Sequence, residues 1–319
     1  MTRFSIIMPL YNKAPYVAKA VESVLGQTCE GWELVVVDDG SKDGGGDIVL
    51  KYSDPRIRLH RQENAGVSVA RNNGVAMATG EYVCFLDADD WWEPTFLEEM
   101  SGLIGRHPGA GIYGTNYWFV KNGQKRPSTI GFDGRFEEGE VNYCRLYAST
   151  LCMPLWTGAV CMPKHVFEEM GGFKPGLKLG EDFVLWVHTA LKHKVVLTRK
   201  MLSNYNQDVD VTWRGTHRVH RPQDHMLWNL DDLETEEKLN ADYKQLIDNL
   251  RVYNMQFYIV DRRYRKQARE VLAMVDWSRQ PKRMRRLYSR PAWLLSARWQ
   301  ILQAGAKLKQ QLRATLDKR

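Results

Sequence analysis

Three acidic clusters stand where they could do chemistry. Val83-Cys84-Phe85-Leu86 is a short apolar run that ends abruptly in Asp87-Ala88-Asp89-Asp90. Burying unpaired carboxylates is costly, so these acids belong at the end of a buried strand, beside a cation or a ligand. Hard oxygens gathered in this way suit Mg²⁺ or Mn²⁺ carrying a diphosphate. A bare Asp-x-Asp is more often a solvated turn or a helix cap, so its surroundings must decide. Asp38-Asp39 closes a second apolar run, Glu33 to Val37, ahead of Gly40-Ser41. Glu181-Asp182 follows Gly180 at the start of a helical pattern, where the dipole favours acids.

The elements that must position these acids can be read from periodicity. Phe4 to Pro9 is a strand closed by proline, and Pro15 sits where a helix can begin. Glu33 to Val37 is almost wholly apolar, which predicts a strand buried on both faces. Ile48 to Tyr52 lies in a second helix, Ile57 to His60 in a third strand, Val67 to Met77 in a third helix, and Glu81 to Leu86 in a fourth strand. This β-α-β-α-β-α-β order, with polar residues gathered after the strands, predicts a doubly wound α/β sheet with its site at the strands' C-terminal ends. Leu97 to Ile104 is a further helix, and Ile112-Tyr113 and Tyr117 to Val120 are strand-like pieces among glycine-rich turns. Val166 to Met170 is a short helix ended by Gly171-Gly172, and Glu181 to Leu191 is helical. From about Asp224 the chain reads as helical to its end, broken at Pro281 and Pro291.

The 319 residues are 44% apolar, enough for one large domain or a domain with an appendage. Five cysteines form no Cys-x-x-Cys pair, which argues against a zinc site or a disulfide framework and for thiols in a reducing compartment. The start, Met1-Thr2-Arg3-Phe4-Ser5, runs straight into a strand, and no apolar run approaches the ~20 residues needed to span a bilayer. These features predict a cytoplasmic location. Charge is uneven: from Arg251 onward there are 18 Lys/Arg and 4 Asp/Glu, so the overall +7 leaves −7 on the first 250 residues. Two regions with different partners are expected.

Several short motifs occur in order. Met8-Pro9-Leu10-Tyr11-Asn12 opens the chain, and Val37-Asp38-Asp39-Gly40-Ser41 follows. Asn64-Ala65-Gly66, Ala70-Arg71-Asn72-Asn73-Gly74 and Gly80-Glu81-Tyr82 lead into Leu86 to Asp90. Gly171-Gly172-Phe173 and Gly180-Glu181-Asp182 come about ninety residues later. In this order and spacing, residues 4 to 205 resemble a family 2 glycosyltransferase with the GT-A fold. The resemblance implies a nucleotide-sugar donor, a divalent metal (Mn²⁺ or Mg²⁺) and inversion at the anomeric carbon. By it, Pro9, Tyr11 and Asp39 hold the nucleotide base, Arg71 lies near base and phosphates, and Asp87 is the ribose-side acid. Asp89 is the metal ligand and Asp182 the catalytic base.

The residues themselves suit those roles. A carboxylate at Asp39 can accept from the N3–H of uracil or thymine, while Asp38 is expected to be structural. Arg71 offers phosphate a fork of donors. Asp87 can reach a ribose hydroxyl or a water on the metal, and Asp90 has an ordinary role capping the helix near Pro94. Asp182 can take the proton of an acceptor hydroxyl, with Glu181 beside it. Trp186, one turn later, could stack on an acceptor sugar or pack in the core. His217 or His220, in a polar loop with His225, could complete the metal site or close over donor, although a solvated loop is the more ordinary reading. The transferred sugar would be chosen around Trp118, Trp156 and Gly158.

The basic end reads separately. Lys282 to Arg286, Trp293, Trp299, Leu302, Leu308, Leu312 and interleaved Arg and Lys form a basic amphipathic stretch suited to an anionic bilayer. The same helices could serve a homo-oligomer interface. No nucleic-acid recognition motif is present, and the N-terminal region is acidic. The expected division is a catalytic domain over residues 1–223, with a donor half to about 110 and an acceptor half from 111, then a basic helical extension over 224–319. The expected protein is an inverting hexosyl- or N-acetylhexosaminyl-transferase, peripheral on the inner face of the cell membrane, moving one sugar from a UDP-sugar to a saccharide or lipid-linked acceptor. It lacks the Gln-x-x-Arg-Trp motif of processive relatives. A non-catalytic nucleotide-sugar-binding or membrane-surface scaffold of the same fold is the alternative. A sugar-1-phosphate nucleotidyltransferase fits less well, because Met8 to Asn12 is no glycine-rich phosphate loop.

Overall fold

The computed structural model describes residues 3–209, 219–291 and 294–295. The chain divides into two compact units, Met1–Glu234 and Thr235–Arg319.

The first unit is built on a ten-stranded sheet. Its parallel half holds β1 (Phe4–Leu10), β2 (Trp32–Asp38), β3 (Ile57–Arg61) and β4 (Tyr82–Phe85), in the order β3-β2-β1-β4. Helices α1 (Ala14–Leu25), α2 (Gly45–Val49) and α3 (Val67–Met77) are the crossovers. β2 is buried at every position and β1 at all but Pro9, as expected of strands covered on both faces. The register pairs Leu10 with Asp38 and Ile7 with Phe85, so the residues after β1, β2 and β4 emerge at one edge. That shared edge gathers Tyr11, Asp39 and the Asp87–Asp90 cluster.

The other half is mixed. After β5 (Trp91–Trp92) and α4 (Phe96–Arg106), the chain forms β6 (Ile112–Lys121), β7 (Gln124–Pro127), β8 (Glu138–Val141), α5 (Tyr143–Thr150), β9 (Val160–Pro163), α6 (Lys164–Glu169), α7 (Glu181–Lys192) and β10 (Val195–Asn206). β9 runs antiparallel to both β4 and β6, and β10 parallel to β6. Two strand-like pieces expected around 112–120 are thus one strand, continued through Gly114, where a Cβ would meet Leu197 Cδ2 at 2.7 Å. β10 has no clean alternation because its pairing slips between Leu197 and Ser203, which masks it in the sequence. α2 starts earlier than its apolar residues suggest. Asp43 Oδ1 accepts the Gly45 N–H at 3.0 Å, and Asp38 leaves no room for a side chain at Gly46.

From Pro222 to Leu233 the chain makes short 3-10 turns in place of the helix expected from Asp224. α8 (Glu234–Leu239) starts at the boundary between units, and α9 (Ala241–Tyr258), α10 (Arg265–Ala273) and α11 (Lys282–Tyr288) belong to the second. The second unit is organised on buried Asp248, which accepts from Lys244 Nζ at 2.7 Å and from the Asp276 N–H at 2.9 Å. Helix breaks fall at Pro281, as its sequence suggests, and also after Tyr258, where Asp261 accepts the Arg263 N–H at 2.9 Å. Among the described residues no helix is long and apolar enough to cross a membrane.

Candidate functional site

The first side of the site is the shared strand edge. Pro9 is half-buried in β1 and Tyr11 is exposed. Asn12 ties this end to the next loop: its N–H donates to Ser41 Oγ at 3.1 Å, and its Oδ1 accepts the Lys42 N–H at 2.8 Å. Asp38 is structural, its Oδ1 accepting the Ser41 N–H at 2.9 Å. Asp39 is buried and accepts four hydrogen bonds from residues 62–66. Gln62 Nε2 (2.7 Å) and the Ala65 N–H (2.8 Å) reach Oδ1; Asn64 Nδ2 (3.1 Å) and the Gly66 N–H (2.9 Å) reach Oδ2. Both oxygens are therefore filled. A base N–H can use Asp39 only by replacing one of these donors.

The carboxylates after β4 differ from one another. Asp87 is partly open, its side chain 31% exposed. Asp89 accepts from Lys13 Nζ at 2.6 Å. Burial raises the Asp89 carboxyl, Lys13 opposes the shift, and Asp87 adds to it. Asp90 is buried and accepts the Asn206 N–H at 2.7 Å, so it fastens the end of β10. It does not cap the helix near Pro94, because α4 begins after Thr95 with no side-chain cap. Burial, then Asp89 and Asp87, push Asp90 well above the usual carboxylate range.

The second side is held to the first by α3. Arg71 is buried on that helix and donates to Asp87 Oδ1 at 2.8 Å and to Glu181 Oε1 at 3.1 Å, with its guanidinium 5.0 Å from the centre of the Phe173 ring. The next residue, Asn72, clamps the turn before α7. Its Nδ2 donates to the Phe173 carbonyl at 2.8 Å, and its Oδ1 accepts the Phe173 N–H at 2.9 Å. Gly180, at φ +81°, starts α7 where a Cβ would strike Met226. Asp182, in the first turn, accepts from Thr157 Oγ1 at 3.1 Å and from the Phe183 N–H at 2.7 Å. Its pKa is raised to about 6, by burial first and then by Glu181, against the pull of Arg71. A carboxyl poised there can accept a proton near neutral pH.

One expected residue lies elsewhere. Trp186 is fully buried against Phe85 and Phe173, so it packs the core beneath the site and cannot stack on a sugar. His217 lies outside the described residues. His220 is half-buried, and His225 is buried against Trp228 with its Nδ1 accepting the Leu227 N–H at 3.1 Å. Lys13, Thr157 and Asn206 were not legible as site residues. Lys13 had one signal, its place directly after Tyr11-Asn12; the others sit in segments without a motif.

The strand-end carboxylates fall within the span of a known family, and the helix-start pair Glu181-Asp182 lies beyond it. The family described as "Glycosyl transferase family 2" matches residues 5–157. The chain carries a domain of glycosyl transferase family 2. Among curated relatives, an uncharacterized glycosyltransferase of Rickettsia felis is 31% identical over 228 residues, covering 66% of this chain and 37% of the relative. The Escherichia coli UDP-Glc:alpha-D-GlcNAc-diphosphoundecaprenol beta-1,3-glucosyltransferase WfgD is 40% identical over 119 residues, covering 37% of this chain and 47% of that protein. The chain thus spans less than half the length of either relative. Residues 1–349 of S. aureus TarS, solved with UDP-GlcNAc, share the GT-A fold at a TM-score of 0.71 and 20% identity, covering 89% of this chain and 83% of that one.

In this glycosyltransferase domain the residues fit a divalent cation that brings its own phosphate ligands. Among the described residues no three His, Cys, Asp or Glu side chains converge to hold a metal alone. Mg²⁺ and Mn²⁺ need no such cage where one or two carboxylates and a diphosphate suffice. Asp89 has the required character, since an ammonium already neutralises it and neighbouring Asp87 disfavours its lone negative charge.

Proposed function

We propose that the protein is an inverting, nonprocessive glycosyltransferase. It would move one sugar from a nucleotide-diphosphate sugar, a UDP-sugar, to a hydroxyl of a saccharide or lipid-linked acceptor in cell-surface polysaccharide or lipopolysaccharide synthesis. The observation that carries this reading is Asp182, a carboxyl with its pKa near 6 at a helix start, braced through Glu181 and Arg71 to the strand-end acid Asp87. The glucosyltransferase activity of WfgD on a diphosphoundecaprenol-linked sugar and the UDP-GlcNAc held by TarS support a UDP-sugar donor and a lipid-linked acceptor.

In this mechanism Asp182 receives the acceptor's hydroxyl proton as the oxygen attacks C1 of the sugar. The bond from C1 to the diphosphate breaks on the opposite face, so configuration inverts in one displacement. Asp89, with Asp87 beside it, would hold Mn²⁺ or Mg²⁺, which when bound supplies charge stabilisation to the leaving diphosphate. Pro9 and Tyr11 would flank the base, and Asp39 would accept its N3–H in exchange for a bond from Gln62 or Asn64. Lys282, Arg283, Arg285 and Arg286 are all exposed on α11, which supports docking on anionic lipid at the inner membrane face.

Calorimetric titration with UDP, GDP, CDP and TDP, with and without Mn²⁺, tests the reading. Metal-dependent UDP binding is expected, lost in Asp89→Ala by on the order of tenfold or more. No nucleotide binding by folded protein would instead favour a non-catalytic membrane-surface scaffold. Flotation with phosphatidylglycerol vesicles tests the membrane reading. The full chain should float and one ending at Pro281 should not.

A further inference from the structure

We propose that Arg71 is a positioning residue for the base: fixed on Asp87 by one arm and on Glu181 by the other, it sets the placement and charge of the Glu181-Asp182 pair. This rests on the reading of Asp182 as the base.

The geometry leaves Arg71 little freedom. The residue is 3% exposed, and both terminal nitrogens are engaged by carboxylates from elements more than 100 residues apart in one case and 16 in the other. The guanidinium lies against Phe173, whose backbone is pinned by neighbouring Asn72. Its buried Nε has no hydrogen-bond partner among the described residues, so its orientation is set by the two acids rather than by saturation of its donors. A buried cation beside several carboxylates is strongly attracted to all of them.

The groups that face Asp182 come from four elements. Glu181 is its neighbour on α7, Arg71 reaches it from α3, Thr157 donates from the turn before β9, and the buried Tyr143 hydroxyl faces it from α5. Of these, Arg71 carries the positive charge. Without it, Glu181 and Asp182 would be adjacent acids in dense surroundings with no counter-charge, and one would hold a proton near neutral pH. Burial of that kind raises a carboxyl, and Arg71 limits the rise to about 6. The same contacts place Glu181, the neighbour of the acceptor-side base, and the donor-side acid Asp87 on one guanidinium.

Carboxyl ¹³C NMR on protein labelled at aspartate tests this, with the Asp182 signal assigned by Asp182→Asn. The wild-type midpoint should lie near 6. In Arg71→Met it should rise to about 7 or above, with UDP affinity followed in parallel by calorimetry. Arg71→Lys keeps the charge and should keep the midpoint near 6, which covers the case in which the methionine variant does not fold. An unchanged midpoint in a folded Arg71→Met protein would overturn the proposal, as would loss of UDP binding without a change in midpoint, which would make Arg71 a donor ligand. If Asp182→Asn retains UDP-sugar turnover, the base assignment falls instead, whatever the midpoint in Arg71→Met.

Discussion

The two halves of the sheet contribute to the site in different ways. In the parallel half, the functional acids follow directly from strands, and those after β2 have partners close in sequence. Asp38 is held by Ser41, and Asp39 by residues 62–66. In the mixed half, single residues reach across: Glu181 to Arg71, Phe173 to Asn72, and Asn206 to Asp90, each more than 100 residues from its partner. A parallel register delivers several side chains to one edge at once. An antiparallel junction such as β4–β9 does not, so this half supplies its groups from a helix start and from loop ends.

Substitutions on each side can sharpen or break this contrast. The largest effect is expected on the mixed side at the base. Asp182→Asn should lower UDP-sugar turnover by about 10²- to 10⁴-fold while leaving UDP binding intact; loss of UDP binding in calorimetry would place Asp182 with the donor instead. Next comes the floor shared by both halves, since Trp186 packs on Phe85 from one and Phe173 from the other. Trp186→Ala should destabilise the fold by about 3–5 kcal/mol in urea unfolding. Asn72→Ala removes two hydrogen bonds to the buried Phe173 backbone and should cost about 1–3 kcal/mol in the same measurement. A neutral Asn72 variant would mean that the turn before α7 holds without its clamp.

The smallest effects are in pH dependence. Asp182 titrates near 6, above the usual carboxylate range, so turnover should rise with pH through about 6 and then level. The folded state holds this proton more tightly than the unfolded chain does. Its stabilising share is therefore present at low pH and lost as pH rises from about 4 to 6. Asp182→Asn lacks that loss and should be more stable than wild type at pH 7 by about 1–2 kcal/mol, measured by thermal unfolding at pH 4.5 and 7. A parallel decline with pH in both proteins would assign the slope to another group.

Much of the first half was legible in the sequence, for physical reasons. β1 and β2 are apolar runs with polar residues massed at one end, and doubly buried strands in α/β sheets have that pattern. Arg71 and Asp182 were picked out, yet the contact that links Arg71 to Glu181 was not, because nothing local encodes it. Trp186 was ambiguous, since an aromatic one turn from a carboxylate satisfies a core and a sugar-binding face alike. Burial decides for the core. β10 was missed because polar Thr198-Arg199-Lys200 interrupt it where its pairing slips. Lys13 shows a further limit, because a lysine at a helix entrance looks like any surface charge until Asp89 is placed opposite it.

The bond from the Asn206 amide to Asp90 also bears on how the molecule comes into being. The acids after β4 are synthesised early, but Asp90 lacks its partner until 116 further residues have been made. The family match ends at residue 157, before Glu181, Phe173 and Asn206 have appeared. A nascent chain of that length carries the strand-end motifs without the long-range contacts that fix them. Such non-local contacts bear a high loop-closure cost and form late. Assembly of the site should therefore coincide with docking of β10, so that a chain able to bind its donor is one whose sheet is already complete.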